Sequence, residues 1–221
     1  MVSNLQLTAI HPVIDLLHKK YGDPNYTSIY GTGRIKSPKL VLVFMNPTAR
    51  NVSARPEWAG IRAPWLGLKQ TWKFFYEIGI LNKELFKATQ KLRPEEWTPE
   101  FSNTIYSYVA SKKVFSTNLA KATQPDARPL RDRVFYDSRE GFLKELELLN
   151  ASHVVTFGNQ VSSVLLNKPV RVSKYSGTQF EELEVGMRIY KIYPCFYPVG
   201  RGWMNIRKVV PRVRGILKII K

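Results

Sequence analysis

The chain has 221 residues, enough for one domain with a substantial core, and 44% of them are hydrophobic, which excludes a disordered chain. Thirty-four basic residues against 17 acidic ones give a net charge of +17, so a polyanion, nucleic acid first, is the expected counterpart. The single cysteine, Cys195, excludes an intramolecular disulfide and any cysteine-ligated zinc or iron–sulfur cluster, and the scattered His11, His18 and His153 argue against a histidine-built metal site.

The N-terminal stretch lacks a charged segment followed by an apolar one, and no apolar run approaches the roughly 18 residues a membrane span needs. The expectation is an intracellular protein of the cytoplasm or nucleoid, without a signal peptide and without a membrane partner. Residues 5–20 carry apolar positions at near-helical spacing broken by Pro12, which predicts a helix kinked there. "KLVLVFM" (39–45) is a continuous apolar run of the length and kind expected of a central parallel strand. Residues 67–80 read as a helix ended near Gly79, and 81–111 as one or two helices around the polar "RPEEWTPE". "KKVFSTN" (112–118) is a second strand. Residues 138–150 form an amphipathic helix with Ser138 as its expected N-cap. "HVVTFGN" (153–159) is a third strand, 160–167 a short helix, and 187–198 a fourth strand. Residues 168–186 fit a hairpin or a loop, and 203–221 fit a terminal helix interrupted at Pro211. Strands alternating with helices predict a single domain over 1–221: a three-layer αβα fold on a central, mainly parallel four-stranded sheet.

In such a sheet, ligands bind beyond the carboxyl ends of the strands. Three strand ends run into "MNPTARN", "NLAKATQPDARP" and "YPVGRGWMN", each polar, basic and broken by proline. Convergence of these loops would make a pocket floored by Asn46 and Asn118, with Tyr197 beside them, and rimmed by Arg50, Arg55, Lys121, Arg128 and Arg201. A carboxamide offers one acceptor and two N–H donors, the complement of a base edge such as that of uracil. A basic rim suits phosphates, and Trp65 in "RAPWLG" supplies a stacking face.

Five segments in order resemble the uracil-DNA glycosylase superfamily, over roughly residues 38–205. "MNPT" (45–48) is similar to the first motif of its single-strand-selective and mismatch-specific branches, with Thr48 where glycine is usual. "RAPWLG" (62–67) resembles the segment whose aromatic ring stacks on the flipped base. "STNLAKATQPDARP" (116–129) and "HVVTFGNQVSSVLL" (153–166) resemble the thermophilic branch, here without its cluster-binding cysteines, since Ala122 stands where one would fall. "YPVGRG" (197–202) occupies the place of the second motif, with Tyr197 in place of its histidine. The resemblance implies a monofunctional DNA glycosylase of base excision repair that hydrolyses the N-glycosidic bond of a flipped, deaminated base, uracil first. It implies roles residue by residue: Asn46 orients the water, Thr48, Trp65 and Asn118 hold the base, and Tyr197 stabilises the departing base. Arg50, Lys121, Arg128, Arg201, Trp203, Arg207 and Lys208 would contact DNA, with Arg201 and Trp203 as candidates for the wedge that replaces the flipped base. The last 21 residues contain seven basic and no acidic side chains, which suits phosphate contacts. No cofactor or metal is expected, the partner is DNA with a damaged base, and a monomer is the default. The alternatives are the same fold acting on hypoxanthine, xanthine or mismatched thymine, and a non-catalytic nucleic-acid-binding protein.

Overall fold

In "LVLVF" every side chain is buried, and successive residues serve opposite faces of a sheet. Leu40, Leu42 and Phe44 enter one core and Val41 and Val43 the other, so this strand is covered on both sides. The computed structural model of the chain describes residues 5–127 and 130–220. Its elements are α1 (Leu5–Thr8), α2 (His11–Tyr21), β1 (Thr32–Gly33), β2 (Leu40–Phe44), α3 (Lys69–Glu77), α4 (Lys83–Lys91), α5 (Pro99–Ser111), β3 (Val114–Asn118), α6 (Asp132–Leu149), β4 (His153–Phe157), α7 (Asn159–Leu166), β5 (Glu181–Val185), β6 (Arg188–Cys195) and α8 (Ile206–Ile219).

The sheet has six strands in the order β1-β3-β2-β4-β6-β5, which corrects the four-stranded expectation. The four expected strands are its centre, paired in parallel as β3-β2-β4-β6. Two antiparallel edge strands add to them: β1 on β3, and β5 on β6 through a tight turn at Gly186, whose φ is +59°. Residues 181–195 are thus a hairpin. On one face pack Trp72, Phe74 and Phe75 of α3, Ile105 and Val109 of α5, and Val213 and Ile216 of α8. On the other pack Phe142 and Leu146 of α6 with Val161 and Leu165 of α7, which gives the three-layer αβα arrangement.

Three boundary expectations change. Pro12 lies in the first turn of α2, where its missing N–H costs nothing, so it starts that helix and does not kink it. Helix α6 begins at Asp132, and Ser138 sits inside it with its hydroxyl donating to Val134 O at 2.7 Å. Helix α8 continues through Pro211, and residues 200–205 before it form a 3₁₀ turn. Among the described residues no helix is long and apolar enough to cross a membrane.

Candidate functional site

The ends of β2 and β3 are held in register beyond the strands themselves. Phe44 stands opposite Asn118, and the ladder runs on with Leu119 N–H donating to Phe44 O at 2.8 Å and Ala120 N–H to Met45 O at 3.0 Å. Gln124 then closes the gap left by Pro47, which has no N–H: Gln124 N–H donates to Pro47 O at 3.1 Å and Ala49 N–H to Gln124 O at 2.8 Å. Loops 45–51 and 119–124 are therefore stapled together. Asn51 belongs to the scaffold, since its carboxamide accepts from Ser53 N–H and donates to Ala63 O at 2.9 Å.

Facing partners in a parallel pair lie on one side of the sheet, so Asn118 shares the face of Phe44. The same row at the carboxyl edge includes Phe157 and Cys195. Above it lies a cleft of about 680 Å³, within the usual range for ligand sites. Asn46, Thr48, Arg50, Trp65, Asn118 and Tyr197 all line it, so six residues from four separate segments of the sequence meet in one place.

Trp65 has φ +72°, a left-handed conformation that is a true outlier for a bulky residue. Its carbonyl accepts from Leu68 N–H and from Trp72 Nε1, each at 2.9 Å, while Tyr106 Oη donates to the neighbouring Pro64 carbonyl. The surroundings thus hold a strained backbone in place, a pattern that clusters at ligand sites. The Trp65 ring packs on Phe44 with centroids 4.4 Å apart and is only 4% exposed, so it is a core residue as well as a wall of the cleft.

Six buried side-chain nitrogen or oxygen atoms among the described residues have no hydrogen-bond partner, and four of them belong to residues lining this cleft. They are Nδ2 and Oδ1 of Asn118, Nε1 of Trp65 and Oγ1 of Thr71. Such groups normally find partners, and leaving one unpaired costs about 1–3 kcal/mol, so their concentration in one cavity points to a ligand that completes them. Asn46 is partly buried; its Nδ2 donates to Pro47 O at 3.1 Å, and its Oδ1 has no partner among the described residues. Burial pushes the Tyr197 hydroxyl well above the usual tyrosine value, with a hydrogen bond from the Met45 backbone pulling the other way. It therefore stays protonated, able to donate, across the physiological range.

Arg50, Arg55 and Lys69 line the cleft, and none has a carboxylate partner among the described residues. Lys121 departs from its expected place on the rim. It is 6% exposed and its Nζ lies 2.8 Å from Glu145 Oε2, so it contacts no polyanion at the surface. The position of Arg128 lies outside the described residues. Arg201, Arg207 and Lys208 are exposed; Arg201 follows Gly200 of the cleft wall, and Arg207 and Lys208 lie in the first turn of α8. Trp203 lies under Lys73 Nζ at 5.0 Å, and Gly200 N–H donates to Gln70 Oε1 at 2.9 Å, which anchors this turn to α3. Met204, at 84% exposure, projects from the same turn as the two wedge candidates, the exposed Arg201 and the half-buried Trp203.

Thr71 and Lys69 were not legible as site residues. The available signal was Thr71 itself, a polar residue three and four positions before Phe74 and Phe75 on the buried face of α3. Among the described residues no cluster of histidine, cysteine, aspartate or glutamate could hold a metal ion. Fold and cleft together define an α/β protein with a partly polar, cation-rimmed pocket at the carboxyl edge of its parallel strands. Neither the protein-family models nor the curated proteins contain a match to this chain.

Proposed function

We propose that this protein is a DNA glycosylase that accepts an extruded, deaminated base, uracil first, and hydrolyses its N-glycosidic bond to leave an abasic site. The observation that carries the reading is the Asn118 carboxamide, 1% exposed and unpartnered at both polar atoms, in the wall of the cleft that also holds Asn46. A base edge with a carbonyl and an N–H complements it. The resemblance in the sequence supports the same reading, because its motif residues share this cleft. The +17 charge and the exposed cations beside the cleft suit a DNA backbone.

In this mechanism the base enters along Trp65, and Asn118 reads its edge. Asn46 holds a water by hydrogen bonding; an amide does not take a proton near neutral pH, so the water's proton passes to solvent. The C1′–N bond breaks as C1′ gains oxocarbenium character, and the water oxygen then bonds to C1′. The base leaves with the bonding pair, stabilised by the neutral Tyr197 hydroxyl and by the backbone N–H of Thr48, since that of Ala49 is already given to Gln124 O. The protein acts as a monomer and without a cofactor.

The test uses oligonucleotides that carry uracil, hypoxanthine, xanthine or a G·T mismatch, incubated with the protein and then cleaved by alkali. Breaks at uracil support the proposal, and breaks at another lesion move the substrate within the same chemistry. Tight binding with no break for any lesion at enzyme excess favours a non-catalytic nucleic-acid-binding protein.

A further inference from the structure

Asn118 has a feature of its own: its side chain makes no hydrogen bond, so its direction in the cleft is set by its backbone and by packing. That backbone is gripped from the opposite side of the sheet. Lys121, three residues on, reaches back so that its Nζ donates to Asn118 O at 3.0 Å and to Glu145 Oε2 at 2.8 Å. Thr117 Oγ1 donates to the same carboxylate oxygen at 3.2 Å. Lys121 Nζ also lies 5.4 Å from the centre of the Phe142 ring. Lys121 is 6% exposed and Glu145 2%, and Glu145 belongs to α6, in the layer that faces away from the cleft.

A buried ion pair is a weak source of stability, because both charges are taken out of water and apolar residues of similar volume serve as well or better. Its presence under the base-reading strand end therefore calls for a role in geometry. A group with no bonds of its own needs its peptide held, and an ammonium that bridges a carbonyl and a fixed carboxylate does this from a position that never meets the ligand.

We propose that Lys121 and Glu145 are positioning residues that clamp the Asn118 peptide and so aim its carboxamide into the cleft. The inference rests on the reading of Asn118 as the base-contacting group. It predicts that fold and recognition separate on mutation.

Removing one partner leaves a bare buried charge, so the informative variant is the double Lys121→Met/Glu145→Leu, which replaces the pair with apolar groups of similar size. Two measurements are made on the full chain: thermal unfolding with cleavage kinetics on the preferred lesion, and the side-chain amide signals of Asn118 in a ¹⁵N–¹H spectrum, assigned by their loss in Asn118→Leu. The expected result is an unfolding midpoint at or above that of the native protein, kcat/KM lower by about 10- to 100-fold, as sub-ångström to 1 Å misplacement produces, and averaged amide signals. A double variant with an unchanged midpoint, unchanged kcat/KM and unchanged amide signals overturns the proposal. Should the double variant fail to fold, Thr117→Val frees one bond on Glu145 without unpairing a charge and should lower kcat/KM by about fivefold, the worth of one net hydrogen bond; no loss there overturns it as well. If the native protein cleaves none of the lesions, the glycosylase reading has failed, and the amide signals alone decide the clamp.

Discussion

Replacing Asn118 by leucine keeps the number and branching of the side-chain heavy atoms, adds some volume, and removes the two polar atoms that the fold leaves without partners. Its neighbours on the same face are Phe44, Phe157 and Trp65, so an apolar side chain is well matched to the site. Relief of the unpaired amide is worth about 1–3 kcal/mol, and ordinary imperfection of packing takes part of that back. For a chain of 221 residues each kcal/mol moves the midpoint by about 2–4 °C, so the variant should melt roughly 2–10 °C higher. The same change removes every donor and acceptor that would read the base edge, and cleavage should fall by about 10³-fold or more. The assay pairs differential scanning calorimetry with oligonucleotide cleavage on one preparation. The signs are opposite, which is the signature of a residue kept for ligand and not for the fold. A midpoint that drops by several degrees would show that the amide is satisfied in solution, and persistent cleavage would show that the base is read elsewhere; either result refutes the reasoning.

Thr71→Val should act in the same way on a smaller scale: a gain of about 1 kcal/mol in urea unfolding, with loss of turnover of about tenfold, because one orphaned hydroxyl is removed from the cleft wall. Asn46→Ala should leave stability within about 0.5 kcal/mol, since among the described residues its side chain bonds only to the adjacent carbonyl, while kcat drops by about 10²–10³-fold in single-turnover cleavage. Alkaline pH should weaken the fold through Cys195, whose thiol burial pushes up from 9.0 to about 11 against the opposing effect of Arg212. Below pH 9 the thiol is protonated in both states; between 9 and 11 only the unfolded chain ionises, so about 3 kcal/mol is lost across that window. Urea melts at pH 8 and pH 11 should show a smaller loss in Cys195→Ala. Alanine at Arg201, Arg207 and Lys208 together should weaken binding to undamaged DNA and reduce the slope of log K against log salt by about 2–3 in fluorescence anisotropy titrations.

β2 was legible because it is a short apolar run buried on both faces, and β3, β4 and the second half of β6 are largely buried too, although β3 ends in Ser-Thr-Asn and β6 starts on exposed Arg188 and Ile189. The edge strands were not. β1 has two residues, and β5 is "EELEV", with Glu182 and Glu184 turned to solvent, so neither shows an apolar run. Ser138 looked like a helix start because its chemistry suits a cap; the chain enters α6 one and a half turns earlier, where no side chain caps the first turn. Pro211 looked like a break, yet it lies on the exposed side of α8, where the Arg207 carbonyl it frees can meet water.

Asn46, Asn118 and Tyr197 could be picked out before any coordinates from residue type and position after a strand, Trp65 as an aromatic after a proline, and Thr48 from the family resemblance. The fate of each basic residue could not. Lys121 and Arg50 look alike in the sequence, and only the fold brings Glu145, 24 positions away from Lys121, into contact with one of them. Charge is a property of the residue, whereas burial and pairing belong to the assembled chain. The local pattern therefore determined which central strands exist and which side chains follow their ends, and the packing of distant segments decided where the edge strands pair, which cations meet water and which polar groups stay unpaired.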